Sequence, residues 1–452
     1  MIPFPLSFVT ETVGGTYYGN PAFLSCLVRD VTIDSRKAAE GSLYVPVIGQ
    51  VYDGHQFIIN SFEKGALCTL SDRMLDIDRP FILVENTTAA LQMLSEKYLE
   101  RNRVKVVGIT GSVGKTSTKD MIYSVLSQDF PTYHTPGNLN NQTGVPQAVF
   151  QIEKTHDVAV LELGTNHPGE IRALAKIVKP DICVFTNIGV AHIEFFGSRE
   201  GIFRGKTEML EYMQRDGKVI ANGDDNLLKT IPEAILFGMN STNAFRAENI
   251  EDLGLHGMRF DLCHEGIRQK MHVPSPGIAS VYNALAAAAC GMILGMSIRH
   301  IQSGIESYHP TNGRMDIQKT DFLTIVDDSY NANPDSVKSA VNVLKITEGR
   351  RIIVLGDMYE LGENSAAFHY ETGKYAAEAE LDLLCFVGDL AKQMYIGANT
   401  IKTDNIYYFE SKQELHRFLS KQLKSGDTVL VKASRGMHLE ETVDFLKHDL
   451  RS

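Results

Sequence analysis

The sequence predicts an α/β protein of three domains. Three observations predict it. From Lys105 onward, short and nearly continuous apolar runs alternate with amphipathic stretches, the signature of parallel strands covered on both faces. A glycine-rich turn, TGSVGKTS, stands between one such run and a helical stretch. Near Arg314 the alternation begins afresh, so a further α/β block follows the central one. The expected boundaries are 1–85, 86–313 and 314–452.

Residues 1 to about 85 hold short apolar runs broken by Gly, Pro and Asp, a small α/β domain. SLYVPVIG (42–49) and CTLSD (68–72) read as strands, and HQFIINSFEKGA (55–66) as a helix ending near Gly65. Thr87 to Arg103 reads as a helical connector, with Leu91, Leu94, Tyr98 and Leu99 at helical spacing. The central strands are VKVVGIT (104–110), DVAVLELG (157–164), DICVFTNIG (181–189) and KVIANGDD (218–225). Each ends in polar residues, as expected where the ligand crevice lies at the carboxyl ends of strands. The third block offers FLTIVDDSY (322–330), RRIIVLGDM (350–358), LLCFVGD (383–389) and DTVLVKASRG (427–436), with helices over 335–348, 364–380 and 411–424.

The turn at 110–117 is the most informative segment. Glycines let backbone wrap a phosphate chain, successive N–H groups point inward, and the following helix offers its N-terminus to the anion. Lys115 would reach the terminal phosphates and the Thr116 hydroxyl would meet Mg²⁺. The usual pattern wants glycine where Ile109 stands; the glycines fall instead at 108, 111 and 114. Strand before and helix after favour a phosphate loop, and so a central P-loop-type, mostly parallel sheet with helices on both faces.

ATP chemistry needs Mg²⁺, which takes oxygen ligands. Glu162 ends an apolar strand, where a bare carboxylate is costly unless paired or metal-bound. His192 follows another strand end and Lys206 comes soon after. Singly, these also read as a salt-bridged strand end, a hydrogen-bonded loop residue and a solvated helix lysine. Their joint placement on the crevice edge favours a metal set.

Composition narrows the class. Lys plus Arg is 44 against 55 Asp plus Glu, a net charge of −11, so a broad nucleic-acid footprint is not expected. The six cysteines form no CxxC pair or zinc spacing and read as reduced, buried thiols of a cytoplasmic protein. MIPFPLSFVTETVGG has no basic segment ahead of an apolar one, so no secretion signal is read. The apolar run Ala284–Ile298 is too short to span a bilayer and reads as one buried helix.

In order along the chain, TGSVGKTS, ELGTNHPGEI (162–171), TNIGVAHIEFFGS (186–198), GKTEML (205–210) and VYNALAAAA (281–289) resemble the central domain of the Mur ligase family. DDSYNANPDS (327–336), LGDMYELGE (355–363) and DSRKAAEGSLYVPVIGQVYDGHQFI (34–58) resemble the member that adds D-alanyl-D-alanine. The resemblance spans about residues 30–440. It implies a monomeric ATP-dependent amide ligase of peptidoglycan precursor synthesis with a Rossmann-like C-terminal domain. Its partners would be UDP-N-acetylmuramoyl-tripeptide and D-alanyl-D-alanine, with no nucleic acid and no membrane insertion.

The resemblance also implies roles. Gly111, Ser112, Val113, Gly114, Lys115, Thr116 and Ser117 would cradle ATP, Asn283 would lie by the adenine, Asp328 by the ribose, and Arg314 would reach the γ-phosphate. Thr116 and Glu162 would bind one Mg²⁺, and His192 a second with a carbamate on Lys206. Asp34, Ser35, Arg36, Asp53 and His55 would contact the UDP end. Asn141 and Thr143 would line the muramoyl-peptide channel, and Tyr330, Asn331, Asn333, Ser434 and Arg435 would receive the dipeptide. Two departures stand out: the family's Gly-x-His-Asn before VYN is GIAS here, with Ala279 and Ser280, and Ala433 replaces a glycine in KASRG. The rival readings are another ligase of the superfamily, such as a folylpolyglutamate synthase, a nucleotide-binding switch without ligase activity, and a scaffold protein descended from the enzyme.

Overall fold

The structure, a computed structural model, describes residues 1–49, 52–190, 193–311 and 313–449. The chain forms two compact units. The first comprises residues 1–110, 130–184 and 205–218; the second comprises 111–129, 185–204 and 219–452.

Eleven strands open the chain: β1 (Phe4–Pro5), β2 (Thr16–Tyr18), β3 (Leu27–Val28), β4 (Asp30–Thr32), β5 (Ser42–Tyr44), β6 (Cys68–Ser71), β7 (Phe81–Leu83), β8 (Lys105–Thr110), β9 (Thr132–His134), β10 (Val158–Glu162) and β11 (Ile182–Phe185). β1 and β3 make a short antiparallel ladder. The five-stranded sheet runs β2-β7-β6-β5-β4 and is parallel except for β2. The expected helix over 55–66 is a 3-10 turn, Gly54–Phe57, leading into a helix, Ile58–Glu63. The connector is a helix over Thr87–Asn102, capped by the Asn86 side chain and stopped by Arg103 in the left-handed region.

The next strands lie in the order β11-β8-β10-β9. β10 pairs parallel with both β8 and β9. All five residues of β10 and all of β8 but Lys105 are buried, as near-continuous apolar runs require. The register sets Glu162 opposite Ile109, so both strands end level where the glycine turn departs.

The second unit continues with β12 (Lys218–Asn222), β13 (Ile235–Gly238), β14 (Phe245–Asp252), β15 (Met258–His264) and β16 (Ile267–Val273), in the order β16-β15-β14-β13-β12. β12, β13 and β14 pair parallel, but β14, β15 and β16 are antiparallel. This ladder lies outside the strands expected from the sequence. Its signal was present: Met258, Phe260 and Leu262 are buried while Arg259 is exposed and Asp261 half-buried, the two-residue period of a one-sided strand. The run Ala284–Ile298 is not one helix. A helix over Ile278–Ile293 ends, Gly295 takes a φ of 83°, and a new helix, Ile298–Glu306, starts on its Ser297 cap.

The last sheet holds β17 (Asp316–Lys319), β18 (Thr324–Asp327), β19 (Arg351–Gly356), β20 (Leu383–Val387), β21 (Ile406–Phe409) and β22 (Thr428–Lys432). Their order is β17-β18-β22-β19-β20-β21, parallel except for β17. Alternate residues feed two cores. Val326, Ile353, Leu355, Phe386 and Leu430 pack with the helices Pro334–Lys345 and Ser365–Glu378 on one face. Ile325, Ile352, Val354, Val429 and Val431 pack with Leu415 and Leu419 of the helix Lys412–Gln422 on the other. Both faces are covered, which is why these runs contain no polar alternation. The α/β class is borne out.

Among the described residues no helix is long and apolar enough to cross a membrane. All six cysteines are free, and burial pushes the thiols of Cys68, Cys183, Cys290 and Cys385 far up.

Candidate active site

The second unit begins at Gly111, from which the chain enters the helix Lys115–Leu126 by way of Gly114, whose φ is 81°. A Cβ on Gly111 would lie 1.9 Å from Thr186 Oγ1, so only glycine lets the loop pass. The loop is buttressed by the end of the TNIG run. Ser112 N–H donates to Asn187 O (3.0 Å) and Val113 N–H to Asn187 Oδ1 (2.8 Å). Thr186 Oγ1 donates to Val113 O (2.6 Å). Two of the N–H groups expected to face a phosphate are therefore engaged by Asn187. Anion-binding capacity falls on the start of the helix, where the dipole favours negative charge. Asn187 was absent from the expected site; its only sequence signal is its place at a strand's polar end.

Lys115 curls over this loop, its Nζ donating to Gly111 O (2.9 Å) and Ser112 O (3.4 Å). Two hydroxyls of this stretch of chain, Thr110 Oγ1 and Ser112 Oγ, are buried and have no hydrogen-bond partner among the described residues. Such orphans are costly in a finished core and fit a site that receives further polar atoms. Thr116 is 4% exposed. Asn283, on the helix Ile278–Ile293, accepts a hydrogen bond from Thr118 Oγ1 (2.8 Å), which ties the expected adenine contact to the phosphate-loop helix. Where the family pattern has His-Asn, Ala279 is exposed and Ser280 is buried, its hydroxyl donating to Gly277 O (2.8 Å).

Arg314 stacks its guanidinium 4.0 Å from the centre of the Tyr330 ring. Asp328 is buried and holds two neighbours: Lys432 Nζ at 2.6 Å and the Met315 N–H at 3.2 Å. Burial nonetheless keeps its pKa above the usual carboxylate range. Its position secures the segment that carries Arg314. Asn331 Oδ1 accepts from Ala332 N–H (2.9 Å), and Asn333 Oδ1 caps the helix Pro334–Lys345 through Ser336 N–H (2.9 Å). Ser434 is buried and its Oγ accepts from Tyr359 N–H (2.8 Å). Arg435 lies 5.4 Å from the Tyr330 ring centre and 3.3 Å from Glu440. Of the five residues expected to receive the dipeptide, Asn331 and Arg435 are exposed and Tyr330 is half-buried, whereas the side chains of Asn333 and Ser434 do structural work in the fold.

In the first unit Glu162 is 2% exposed, and its Oε1 accepts from Asn140 Nδ2 (2.8 Å). Asn140 was also missed, one place from the expected Asn141; the doubled asparagine of NLNN was the available signal. Asn141 Oδ1 organises its own turn, accepting from the N–H groups of Thr143 (3.2 Å) and Gly144 (2.8 Å). Lys206 is 1% exposed, far from the solvated lysine of its bland reading. His192 lies outside the described residues. Among the described residues no group of three or more His, Cys, Asp or Glu side chains is gathered in metal-binding geometry.

The N-terminal residues form two local clusters. Asp34 caps the turn Ser35–Lys37 and pairs with Arg36, whose side-chain hydrogen bond holds the Asp34 carboxyl below its usual range. Asp53 takes the His55 N–H (3.0 Å) and ring Nδ1 (2.7 Å), which lower its pKa to about 2. His55 Nε2 lies 3.1 Å from Asp72, so the turn at 53–55 is clamped to the loop after β6.

The glycine loop and its helix match a family model. Residues 109–291 match the Mur ligase middle domain, and 313–435 match the Mur ligase, glutamate ligase domain. The chain belongs to the Mur ligase family. Within the family it is 35% identical to the UDP-N-acetylmuramoyl-tripeptide–D-alanyl-D-alanine ligase of Bacillus subtilis (strain 168), over 98% of each chain. It superposes on MurF from Acinetobacter baumannii with a TM-score of 0.91 at 31% identity, covering 99% of both chains. MurF from Thermotoga maritima, solved with ADP, gives a TM-score of 0.84 at 29% identity over 94% of this chain and 98% of that one. These Mur ligases are similar along their whole length, so the N-terminal block, which neither family model covers, is shared as well.

Proposed function

We propose that this Mur ligase joins D-alanyl-D-alanine to UDP-N-acetylmuramoyl-tripeptide at the expense of ATP. The observation that carries the reading is full-length similarity to ligases of that name, joined to a glycine loop in which the buried Thr110 and Ser112 hydroxyls have no hydrogen-bond partner among the described residues. A carboxylate is a poor electrophile. Its oxygen attacks the γ-phosphorus, ADP leaves, and the acyl phosphate is then open to the dipeptide amine. Collapse of the tetrahedral adduct breaks the carbon–oxygen bond and expels phosphate. Lys115 leaves its loop carbonyls for the phosphates, the helix start at Lys115 supplies N–H groups, and Arg314 takes charge on the γ-phosphate. Positioning and electrostatics do most of the work in such transfers.

Thr116 and Glu162 would hold one Mg²⁺, and His192 with a carbamylated Lys206 a second; the donor oxygens suit that ion. When bound, Mg²⁺ neutralises phosphate charge and lets two anions approach. Glu162 and Lys206 are both almost fully buried, and a carboxylate and a carbamate at these positions would offer anionic oxygens to that ion. We assign residues 1–85 to the UDP-sugar, 86–313 to ATP and the ligase step, and 314–452 to the dipeptide. Asp34, Ser35, Arg36, Asp53 and His55 would meet the UDP end, Asn141 and Thr143 the muramoyl peptide, and Asn283 and Asp328 the adenosine. The reaction is placed in the cytoplasm, by a monomer.

The test is phosphate release with ATP, UDP-muramoyl-tripeptide and D-alanyl-D-alanine, omitting each in turn. Release should require all three. Turnover with a single amino acid in place of the dipeptide, or with a folate, would instead favour another ligase of the superfamily. Lys115→Ala should bind ATP at least tenfold more weakly.

A further inference from the structure

Two arginines share one aromatic ring. The Arg314 guanidinium lies 4.0 Å from the Tyr330 ring centre and that of Arg435 lies 5.4 Å from it, although the two arginines are far apart in sequence. Both attractions are to the same ring quadrupole. The ring itself is set from its backbone. Tyr330 N–H donates to Gly313 O (3.0 Å), and Gly313 sits with φ 78°, where a Cβ would come within 3.2 Å of Tyr330 Cβ. The strand before it is fixed by the Asp328–Lys432 pair (2.6 Å), and the same Lys432 Nζ donates to Asn331 O (2.8 Å). A rigid backbone thus carries a ring whose two cationic neighbours come from different segments, 313–315 and 434–437. Arg435 also has a side chain 56% exposed and pairs with Glu440 at 3.3 Å, so most of its guanidinium is open to an incoming anion.

We propose that Tyr330 is a positioning residue that couples the γ-phosphate of ATP to the carboxylate of the incoming dipeptide. This rests on the function proposed above. Arg314 and Arg435 each lose side-chain freedom when they bind an anion, and so does the ring between them. The first ligand to arrive orders the ring and both guanidiniums. The second then meets a pre-ordered arginine and binds more tightly, a coupling that operates through ordering rather than through contact of the two ligands.

The experiment measures binding of a non-hydrolysable ATP analogue to the full chain with UDP-muramoyl-tripeptide present, with and without D-alanyl-D-alanine. The wild type should bind the analogue about fivefold or more tightly with the dipeptide, and the dipeptide should gain by the same factor from the analogue. Tyr330→Leu should bring the factor close to one, and Tyr330→Phe, which keeps the ring, should retain it. A Tyr330→Leu protein that preserves the factor while binding the dipeptide more weakly would overturn the proposal, leaving the ring a simple contact. So would a wild-type factor of one. The Phe variant guards against misfolding, since its fold and its coupling are both expected to survive. Wild-type protein that releases no phosphate on dipeptide addition would instead sink the underlying function, a result distinct from either.

Discussion

At the scale of single residues, the phosphate loop depends on one missing side chain. A methyl group on Gly111 would overlap the Thr186 hydroxyl, which holds Val113 O. Gly111→Ala should therefore weaken ATP binding by at least about tenfold, or roughly 1.4 kcal/mol, with the protein still folded. Unchanged affinity in a titration calorimeter would show that the loop relaxes around the methyl. Lys206 makes a second prediction. Lys206→Ala should lose most activity and recover part of it with short-chain carboxylic acids, which replace a carbamate; full activity without added acid would refute the carbamate. The glycine turn was legible because its geometry is local. Asn187 and Asn140 were not, because each acts on a partner, Val113 or Glu162, that only folding brings near.

At the scale of elements, a buried histidine joins the end of β19 to the helix Ser365–Glu378. His369 Nδ1 donates to Ser365 O (2.7 Å) and Nε2 accepts from Met358 N–H (2.9 Å), so both nitrogens are engaged in the neutral form. Burial lowers its pKa, while the Ser365 bond and nearby Asp357 oppose the shift. The folded pKa thus lies below the unfolded value of about 6.5, and the unfolded chain binds more protons between the two. This contribution to stability is whole above about pH 6.5 and declines as pH falls toward the folded pKa, by up to about 1.4 kcal/mol per pH unit. Asp357, raised by its own burial, acts with the opposite sign, so the comparison is with His369→Asn. Urea midpoints from pH 7.5 to 5.5 should fall more for the wild type. Parallel profiles for the two proteins would contradict this. Strand and helix existence here was readable from unbroken apolar runs, whereas the antiparallel ladder β14–β16 was passed over because its strands bury one face only.

At the scale of the whole molecule, the proposed binding of ATP to the native state should stabilise it by mass action, about 2.7 kcal/mol at a hundredfold excess over Kd. The glycine loop, Asn283, Arg314 and Asp328 all belong to the second unit. Amide hydrogen exchange should accordingly slow over residues 111–129 and 314–335 when a nucleotide analogue is added. Exchange unchanged at 111–129 would place the nucleotide elsewhere. The sequence by itself determined the class of fold, many of its strands and the family, because apolar periodicity, glycine turns and long motifs are properties of neighbouring residues. Only the tertiary structure decided which polar groups are already engaged. Asn333 and Ser434 are held by the fold, Asp328 by a lysine far along the chain, and the Tyr330 ring by two arginines. A hydrogen bond or a stacked cation depends on distances of a few ångströms, and those are set by packing between segments that the sequence keeps apart.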